Sequence, residues 1–326
     1  MTPPRTALVL AAGHGTRARP LTAVRAKPAL PLGTDTLVSR ILRWLRDEGV
    51  ERVVVNLHHR PESVVRAVHD GLPPGLSVRF SSETRLLGSA GGPRHALPLI
   101  EDDPFYVVNG DTLTNVDLGA LARRHEEAGA LVTMAVMPSP DPRHYGGVIV
   151  GERDDVIGFA RPGRHASPQH FVGVQIMRRE AVADLPDGEP AETVWGVYPQ
   201  LLSRSADAIA ALRCRPVFHD IGTVGDYIRT ARQLAGAGSR RGSSIVGHGC
   251  EVDATAELGD SILWDDVRVG GGASVVRSIV VDGVTVPQGA VLRDAIVFPM
   301  SAQPLVPDAT SVSGLLVVSL PVEGRP

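Results

Sequence analysis

The sequence is poor in cysteine and in aromatic residues. Its 326 residues include two cysteines, Cys214 and Cys250, and 4% aromatic residues. The two cysteines form neither a metal-binding spacing nor a disulfide framework, so both are expected to be reduced thiols. The composition therefore gives no support for a disulfide-stapled domain or for a cysteine-based metal site.

Long apolar runs and strong net charge are missing as well. No segment approaches the ~20 apolar residues of a membrane span, and the apolar N-terminal stretch is shorter than a signal-peptide core. The net charge is −3 and the arginines are scattered, which excludes a basic stripe for nucleic acid. We expect a cytoplasmic protein that binds neither membrane nor nucleic acid, with two domains and a large core.

Lysine is almost absent. Of the 33 basic residues, 32 are arginine and one is Lys27. A position that keeps lysine in such a chain indicates a need for a compact, rotatable point charge, which a planar guanidinium does not supply. Phosphate binding is the usual reason for that need, and chance survival of one lysine is the alternative.

A glycine-rich loop precedes Lys27. The apolar run Thr6–Leu10 predicts a buried strand, and Gly13, Gly15 and Thr16 follow it at once. A strand that leads into such a loop presents backbone N–H groups to an anion. The loop lacks the third glycine of the dinucleotide fingerprint and the Gly-Lys-Ser/Thr ending of a P-loop, so it matches neither of these sites.

Strand and helix patterns alternate over the first two thirds of the chain. One helical face is marked by Leu37, Val38, Ile41, Leu42 and Leu45. Buried strands are predicted at Val53–Leu57, Phe105–Val108, Leu131–Val136 and Val148–Val150. The alternation predicts an α/β domain with a mostly parallel sheet, whose ligands lie beyond the carboxyl ends of the strands. Asn109, Gly110 and Asp111 stand at one such end.

The pattern changes from about Ser243 onward. The segment that begins at Ser261 returns 17 residues later at Ser278, and Ala295 begins a third copy. Apolar residues also recur every six positions, at Val246, Val252 and Leu258. Six-residue spacing inside such coils is typical of a β-helix, in which each short strand stacks on the strand one coil below.

The segment Leu10–Pro28, which reads LAAGHGTRARPLTAVRAKP, resembles the signature of the sugar-1-phosphate nucleotidyltransferases, or NDP-sugar pyrophosphorylases. The likeness covers residues 6 to 299 and is strongest to mannose-1-phosphate guanylyltransferase-like proteins. It implies a Rossmann-like nucleotidyltransferase domain with a mostly parallel mixed sheet over residues 1–238. A short C-terminal left-handed β-helix of hexapeptide repeats over 243–299 and a tail over 300–326 would follow.

This resemblance implies transfer of a nucleoside monophosphate from an NTP to a sugar 1-phosphate, with release of pyrophosphate. The attacking phosphate oxygen is already an anion, so the enzyme must supply positioning, charge neutralisation and a divalent metal. Mg²⁺ is the expected cofactor, and Asp111 and Asp220 match the family's two metal ligands. Taken alone, Asp111 would fit a strand-end turn or a helix cap equally well, and for Asp220 an Asp-x-Gly turn would be the better interpretation. Arg17 and Lys27 are expected to hold phosphates and, with Asp111, to form the catalytic set.

The nucleotide site implied by the family is formed by a strand end, a loop and two base-contacting positions. Its members are Leu10, Ala11, Ala12, Gly13, Gly15, Thr16, Glu83, Gly88, Asn109 and Gly110. A carboxylate only accepts hydrogen bonds, and guanine offers two adjacent donors whereas uracil offers one, so Glu83 favours GTP. The alternative is that Glu83 faces solvent.

The sugar-phosphate site departs from the family pattern. The family's Glu-Lys-Pro reads Ala160-Arg161-Pro162, so Arg161 can hold phosphate but Ala160 cannot accept from a hydroxyl. Tyr145, Gly146 and Gly173 match the remaining pocket positions. Mannose 1-phosphate is the favoured sugar. Use of UTP or dTTP with glucose or N-acetylmuramate 1-phosphate is the alternative, since Glu51–His59 resembles uridylyltransferases of the latter kind.

Two further classes are considered. A non-catalytic NDP-sugar sensor is disfavoured by the intact Lys27, Asp111 and Asp220, and favoured by Ala160. An acyltransferase in the β-helix is disfavoured because three coils offer little groove and hold one histidine, His248. A homo-oligomer is expected, since β-helix tails more often serve assembly or regulation than chemistry.

Overall fold

The computed structural model describes residues 3–143, 145–165 and 167–320. The first two residues of the predicted catalytic domain and the last six of the predicted tail lie outside this range. The chain divides into two compact units, one of Met1–His14 with Val38–Asp220 and one of Gly15–Leu37 with Ile221–Pro326. This division differs from the domain boundaries predicted from the sequence, 1–238, 243–299 and 300–326, and those boundaries remain a prediction.

Strands and helices are numbered in chain order, and β2 and β3 belong to the second unit. The strands of the first unit are β1 (Thr6–Leu10), β4 (Arg52–Leu57), β5 (Ser77–Ser82), β6 (Phe105–Asn109), β7 (Thr112–Thr114), β8 (Val132–Pro138), β9 (Gly147–Val150), β10 (Val156–Ala160), β11 (Gln169–Met177), β12 (Ile209–Arg213) and β13 (Phe218–Asp220). Its helices are α1 (Leu37–Asp47), α2 (Pro61–Gly71), α3 (Gly88–Ala96), α4 (Leu118–Ala128), α5 (Glu180–Ala183) and α6 (Tyr198–Arg204).

Nine of these strands form one mixed sheet. The order β10-β9-β11-β6-β1-β4-β5 forms its main path, β8 pairs with β11, and β12 pairs with β8. Strand β1 lies parallel to β4 and β6, and β4 lies parallel to β5, as the strand–helix alternation predicts. Strand β11 runs antiparallel to β6, β8 and β9, because β9, β10 and β11 follow one another without a helix between them.

The predicted strands are present, with ends that move by one or two residues. Helix α1 buries all five of its predicted apolar positions. The core beneath the sheet gathers large side chains from strands and helices alike, among them Leu8, Val54, Phe105, Met134 and Tyr198. Full burial of such a side chain stabilises the fold by roughly 1.5–3 kcal/mol.

The second unit contains a left-handed β-helix. Its coil strands are β15 (Ser244–Val246), β16 (Glu251–Val252), β17 (Glu257–Gly259), β18 (Ile262–Leu263), β19 (Arg268–Val269), β20 (Ser274–Val276), β21 (Ile279–Val280), β22 (Thr285–Val286), β23 (Val291–Arg293) and β24 (Ala295–Phe298). Three parallel sheets stack along it, β15-β18-β21-β24, β16-β19-β22 and β17-β20-β23. The 17-residue repeat is therefore observed directly as strand register, for example Ile245 beside Ile262 and Ile262 beside Ile279.

The other elements of the second unit come from both ends of the chain. They are the hairpin β2 (Pro31–Leu32) and β3 (Asp35–Thr36), helix α7 (Val224–Leu234), β14 (Arg240–Arg241), β25 (Thr310–Val312) and β26 (Leu315–Ser319). Three short 3-10 turns, Thr16–Ala18, Leu21–Ala23 and Lys27–Ala29, precede the hairpin. Among the helices that the structure describes, none has the length and apolar character needed to cross a membrane.

Candidate functional site

The carboxyl end of β1 is tied to its two neighbouring strands. Gly110 N donates to Leu10 O (2.9 Å), and Ala11 N donates to the side-chain oxygen of Asn56 on β4 (2.6 Å). A Cβ at Gly110 would lie 2.5 Å from Leu10 O, so the close approach requires glycine. The structure thus brings Leu10, Ala11, Asn109 and Gly110 together at the carboxyl ends of β1 and β6.

Glu83 is buried, with 6% of its surface exposed. Asn56 Nδ2 donates to its Oε1 (2.7 Å), and Leu87 N donates to its Oε2 (2.9 Å). The solvent-facing alternative is therefore wrong. Because each carboxylate oxygen can accept more than one hydrogen bond, contact of Glu83 with a base stays a prediction.

Gly88 begins helix α3 in a conformation that only glycine adopts readily. Its φ is +78°, and a Cβ there would lie 2.7 Å from Ala191 O. Ala90 N and Gly91 N both donate to the same carbonyl, at 2.9 and 3.1 Å. The hydrogen bonds to Ala191 O hold the start of α3 in place. Because residue 88 is glycine, no side chain covers the backbone there.

Asp111 directly precedes β7, and Asp220 is the last residue of β13, the strand that pairs with β7. Asp111 follows β6 in a tight turn, and Asp220 on β13 pairs antiparallel with Thr112 on β7. Both side chains are partly exposed. No group of three His, Cys, Asp or Glu side chains suited to a metal occurs among the described residues. Two carboxylates alone are the donor set of Mg²⁺ sites that substrate phosphates complete, so the residues present fit this ion.

Three predicted sugar-site positions lie close to neighbouring backbone and side chains. A Cβ on Gly173 (φ +78°) would lie 3.0 Å from Asn109 Nδ2, and one on Gly146 would lie 2.8 Å from Ala160 O. The ring of Tyr145 meets that of His170 edge-on at 5.1 Å. Burial lowers the pKa of His170, so this ring is neutral at neutral pH.

Trp195, which no sequence motif marks, stacks against Arg161. The guanidinium carbon of Arg161 is 4.9 Å from the centre of the indole ring, and Trp195 remains 54% exposed. Trp195 lies in the π-helical turn Thr193–Val197, a rare structure that is frequent at functional sites. The one available signal was compositional, since the chain has three tryptophans.

Within the second unit, the structure brings Gly15 and Lys27 together. Gly15 has φ +60°, and a Cβ there would lie 2.9 Å from Thr22 Cγ2 and 3.3 Å from Lys27 Cβ. Thr22 Oγ1 donates to Gly15 O (3.0 Å). Lys27 is 8% exposed, whereas Thr16 and Arg17 are exposed in the 3-10 turn.

The rings of three histidines lie close together in the first unit. The ring of His14 meets those of His58 and His59 edge-on, at 5.3 and 5.5 Å. His58 Nδ1 lies 3.0 Å from Glu83 O. The loop motif marks His14 only as a variable position, and the ring contacts became visible only in the structure.

Comparison with known proteins agrees with this arrangement. The profile described as nucleotidyl transferase matches residues 6–236, and the profile described as GlmU-like, C-terminal hexapeptide, matches residues 229–312. The chain belongs to the nucleotidyl transferase family. It is a sugar-phosphate nucleotidyltransferase with a hexapeptide-repeat domain, which confirms the family, the fold class and the prediction of an enzyme. The family generally uses a divalent metal.

Similar proteins include two curated enzymes and one solved structure. The mannose-1-phosphate guanylyltransferase of Mycobacterium tuberculosis is 28% identical, over 88% of this chain and 82% of its own length. The UTP–glucose-1-phosphate uridylyltransferase of Synechocystis is 27% identical, over 90% and 83%. The crystal structure of HddC from Yersinia pseudotuberculosis superposes with a TM-score of 0.63 at 21% identity, over 71% of this chain and all of HddC.

Proposed function

We propose that this nucleotidyltransferase transfers GMP from GTP to mannose 1-phosphate, giving GDP-mannose and pyrophosphate. The observation that carries the proposal is the pairing of Asp220 with Thr112, which places Asp220 opposite the residue that follows Asp111, just beyond β6. A carboxylate pair at the carboxyl end of sheet strands suits metal-assisted phosphoryl chemistry.

The triphosphate is assigned to the loop Leu10–Thr16. A Cβ on Gly13 would meet no described protein atom within 4 Å. Protein packing therefore does not require glycine there, whereas a phosphate close to the backbone would. Arg17 and Lys27 neutralise phosphate charge in this proposal.

Asp111 and Asp220 are assigned as the Mg²⁺ ligands. Each would offer carboxylate oxygens, with the remaining positions left to substrate phosphates and water. When bound, the ion neutralises the charge that develops on the phosphates during transfer. The protein's own contribution is to hold Asp220 on β13 and Asp111 directly before β7, the strand that β13 pairs with.

Guanine is the proposed base. Glu83 and the bare backbone at Gly88 are its proposed contacts, and an acceptor-only carboxylate matches the two adjacent donors of guanine. Relatives named mannose-1-phosphate guanylyltransferase support this choice, and HddC has also been crystallised with GMP-PN. The Synechocystis uridylyltransferase favours the second candidate, transfer of UMP to glucose 1-phosphate.

Arg161 is the proposed ligand of the sugar phosphate. Its planar guanidinium can bind a phosphate through two hydrogen bonds, and the stacking on Trp195 restricts its orientation. Tyr145, Gly146 and Gly173 are proposed to frame the sugar ring. A cytoplasmic location and a homo-oligomeric assembly complete the proposal.

The test is a substrate matrix. Pyrophosphate release is measured with Mg²⁺ for GTP, UTP, dTTP, ATP and CTP, each against mannose, glucose and N-acetylmuramate 1-phosphates. We expect the highest kcat/KM for GTP with mannose 1-phosphate, by at least about tenfold, or about 1.4 kcal/mol. A maximum for UTP with glucose 1-phosphate would establish the second candidate, and no product from any pair would favour the sensor.

A further inference from the structure

One corner of the β-helix carries a row of polar side chains at equivalent positions of successive coils. His248, Asp265 and Asp282 are spaced by 17 residues, and we name them the corner row. His248 N donates to Asp265 Oδ1 (2.9 Å), and Asp265 N donates to Asp282 Oδ1 (3.1 Å). Each aspartate is thus fixed by the backbone of the coil before it.

The side chains of the corner row also bind the segment that contains Lys27. Arg25 Nε donates to Asp282 Oδ2 (2.6 Å), and Arg25 Nη2 donates to Asp282 Oδ1 and to Asp265 Oδ2, both at 2.7 Å. His248 Nε2 lies 2.9 Å from Thr34 O. The partners of Arg25 are 240 and 257 residues away in sequence.

Arg25 is mostly withdrawn from solvent. Its side chain is 15% exposed, and its guanidinium carbon lies 5.6 Å from the ring centre of the buried Trp264. Trp264 Nε1 donates to Tyr227 OH (2.8 Å), and Tyr227 OH donates to Pro31 O (2.8 Å). A bidentate ion pair of this kind, backed by an aromatic face, fixes geometry far better than an exposed pair.

The same guanidinium also brackets Lys27. Arg25 Nη1 donates to Ala29 O (3.3 Å), so the side chain spans the turn Lys27–Ala29 from before its start to its last residue. Directly after that turn, Leu30 N donates to Lys27 O (3.1 Å). Arg25 therefore binds the last carbonyl of the turn that Lys27 begins.

We propose that Asp265 and Asp282 of the β-helix, acting through Arg25, are positioning residues for Lys27. The β-helix thereby fixes the conformation of the phosphate-binding segment 15–37, in addition to any role in assembly. The inference rests on the proposed function, because it needs Lys27 to contact a substrate phosphate.

The test compares Asp282→Asn with a matched control, Asp294→Asn. Asp294 accepts two hydrogen bonds from Arg277 (both 2.6 Å) in the same β-helix, away from segment 15–37. Both changes remove one charge from a bidentate pair. We measure kcat, KM for each substrate and the thermal unfolding midpoint for both variants, alone and combined with Lys27→Met.

We expect Asp282→Asn to lower kcat by at least about tenfold in the wild-type background and by less than about twofold beside Lys27→Met. Asp294→Asn should change kcat less than about twofold in both backgrounds. Arg25→Lys should recover part of the activity lost in Arg25→Met, because it keeps the charge. A kcat of Asp282→Asn within twofold of wild type, or an equal loss in both backgrounds, would overturn the proposal.

Amide hydrogen exchange separates this inference from the proposed function. Faster exchange of residues 16–30 in Asp282→Asn, and unchanged exchange in Asp294→Asn, would support the positioning role even if no substrate pair were turned over. Unchanged exchange in Asp282→Asn would contradict it. Inactivity of the wild-type enzyme towards every pair would contradict the proposed function alone.

Discussion

Lys27 is the one lysine of the chain and is almost fully buried. A buried ammonium is stable only where oppositely charged or polar groups face it, and we propose that the phosphates of the substrates belong to that set. Lys27 is thus singled out both by the composition of the chain and by its burial in the structure.

Lys27→Arg should lower kcat/KM by at least about tenfold, or about 1.4 kcal/mol of barrier. A guanidinium keeps the charge but has a broader, planar head that a site built for lysine does not fit. Steady-state kinetics with GTP and mannose 1-phosphate measure the effect. Unimpaired turnover would mean that the lone lysine is drift.

Glu83 illustrates how one carboxylate can be both structural and specific. Its two oxygens fix Asn56 and Leu87, and Asn56 in turn receives Ala11 N. If the amide of Asn56 rotated to suit a new partner, it would lose its bond to Ala11. The network therefore connects the proposed base contact to the proposed phosphate loop.

Glu83→Gln should leave one buried donor unpaired, at a cost of ~1–3 kcal/mol. If Glu83 also contacts guanine, the ratio of kcat/KM for GTP to that for UTP should fall by roughly ten- to a hundredfold, since an amide can pair with uracil. Thermal unfolding and the two kcat/KM values are measured together. A lowered midpoint with an unchanged ratio would assign Glu83 a structural role only.

At the scale of elements, strands and repeats could be predicted because their signals are local. The apolar run of β1 and the 17-residue repeat gave the correct strand and the correct coil register. The resemblance implied a mixed sheet, but the local patterns did not indicate which strands run antiparallel, since that depends on how β9, β10 and β11 pair. Asn56, inside an apolar strand, also escaped, since its partner lies 27 residues away.

The π-helical turn Thr193–Val197 has no sequence signature, yet it presents Trp195 to Arg161. An exposed cation–π contact is worth about 0.5–1 kcal/mol. Trp195→Leu should therefore raise KM for the sugar 1-phosphate by about two- to fivefold and leave KM for the NTP unchanged. Trp195→Phe, which keeps an aromatic face, is the control. An equal rise in both KM values would contradict a role in the sugar-phosphate site.

Helix α4 docks on β8 through a buried histidine. His125 Nδ1 lies 2.8 Å from Thr133 Oγ1, and burial, with a smaller contribution from Arg178, lowers the pKa of His125 from 6.5 to about 4. His125 therefore binds a proton near pH 6.5 in the unfolded chain, but only near pH 4 in the native protein. The contribution of His125 to stability falls as pH drops from about 6.5 to about 4, and is level outside that window.

His125→Gln removes this titration while keeping a polar partner for Thr133. Lowering the pH from 7 to 4 should reduce the free energy of unfolding of the wild type, relative to that of His125→Gln, by on the order of 2–3 kcal/mol. Thermal unfolding midpoints at half-unit pH steps measure it. Parallel pH profiles for the two proteins would contradict the lowered pKa of His125.

At the scale of the whole molecule, segment 15–37 groups with the C-terminal part of the chain rather than with its sequence neighbours. The repeat pattern predicted a stack of coils, and nothing in it indicated which segment the corner row would contact. The two aspartates that Arg25 binds lie 240 and 257 residues later in the chain, so no local sequence pattern pairs them with Arg25. Such long-range pairings are set by tertiary structure alone.

As a sugar-phosphate nucleotidyltransferase, the chain joins a sugar 1-phosphate to the α-phosphorus of a nucleoside triphosphate. In this reaction a phosphate oxygen of the sugar 1-phosphate attacks the α-phosphorus, the bond to the bridging α–β oxygen breaks, and pyrophosphate leaves. The most direct measurement follows GTP labelled at the α-phosphorus with mannose 1-phosphate and Mg²⁺, with Asp220→Asn as the control. We expect the label in GDP-mannose, with one pyrophosphate per labelled product, and a loss of orders of magnitude in the control. Label in GMP or GDP, release of inorganic phosphate in place of pyrophosphate, or full activity of Asp220→Asn would contradict the account.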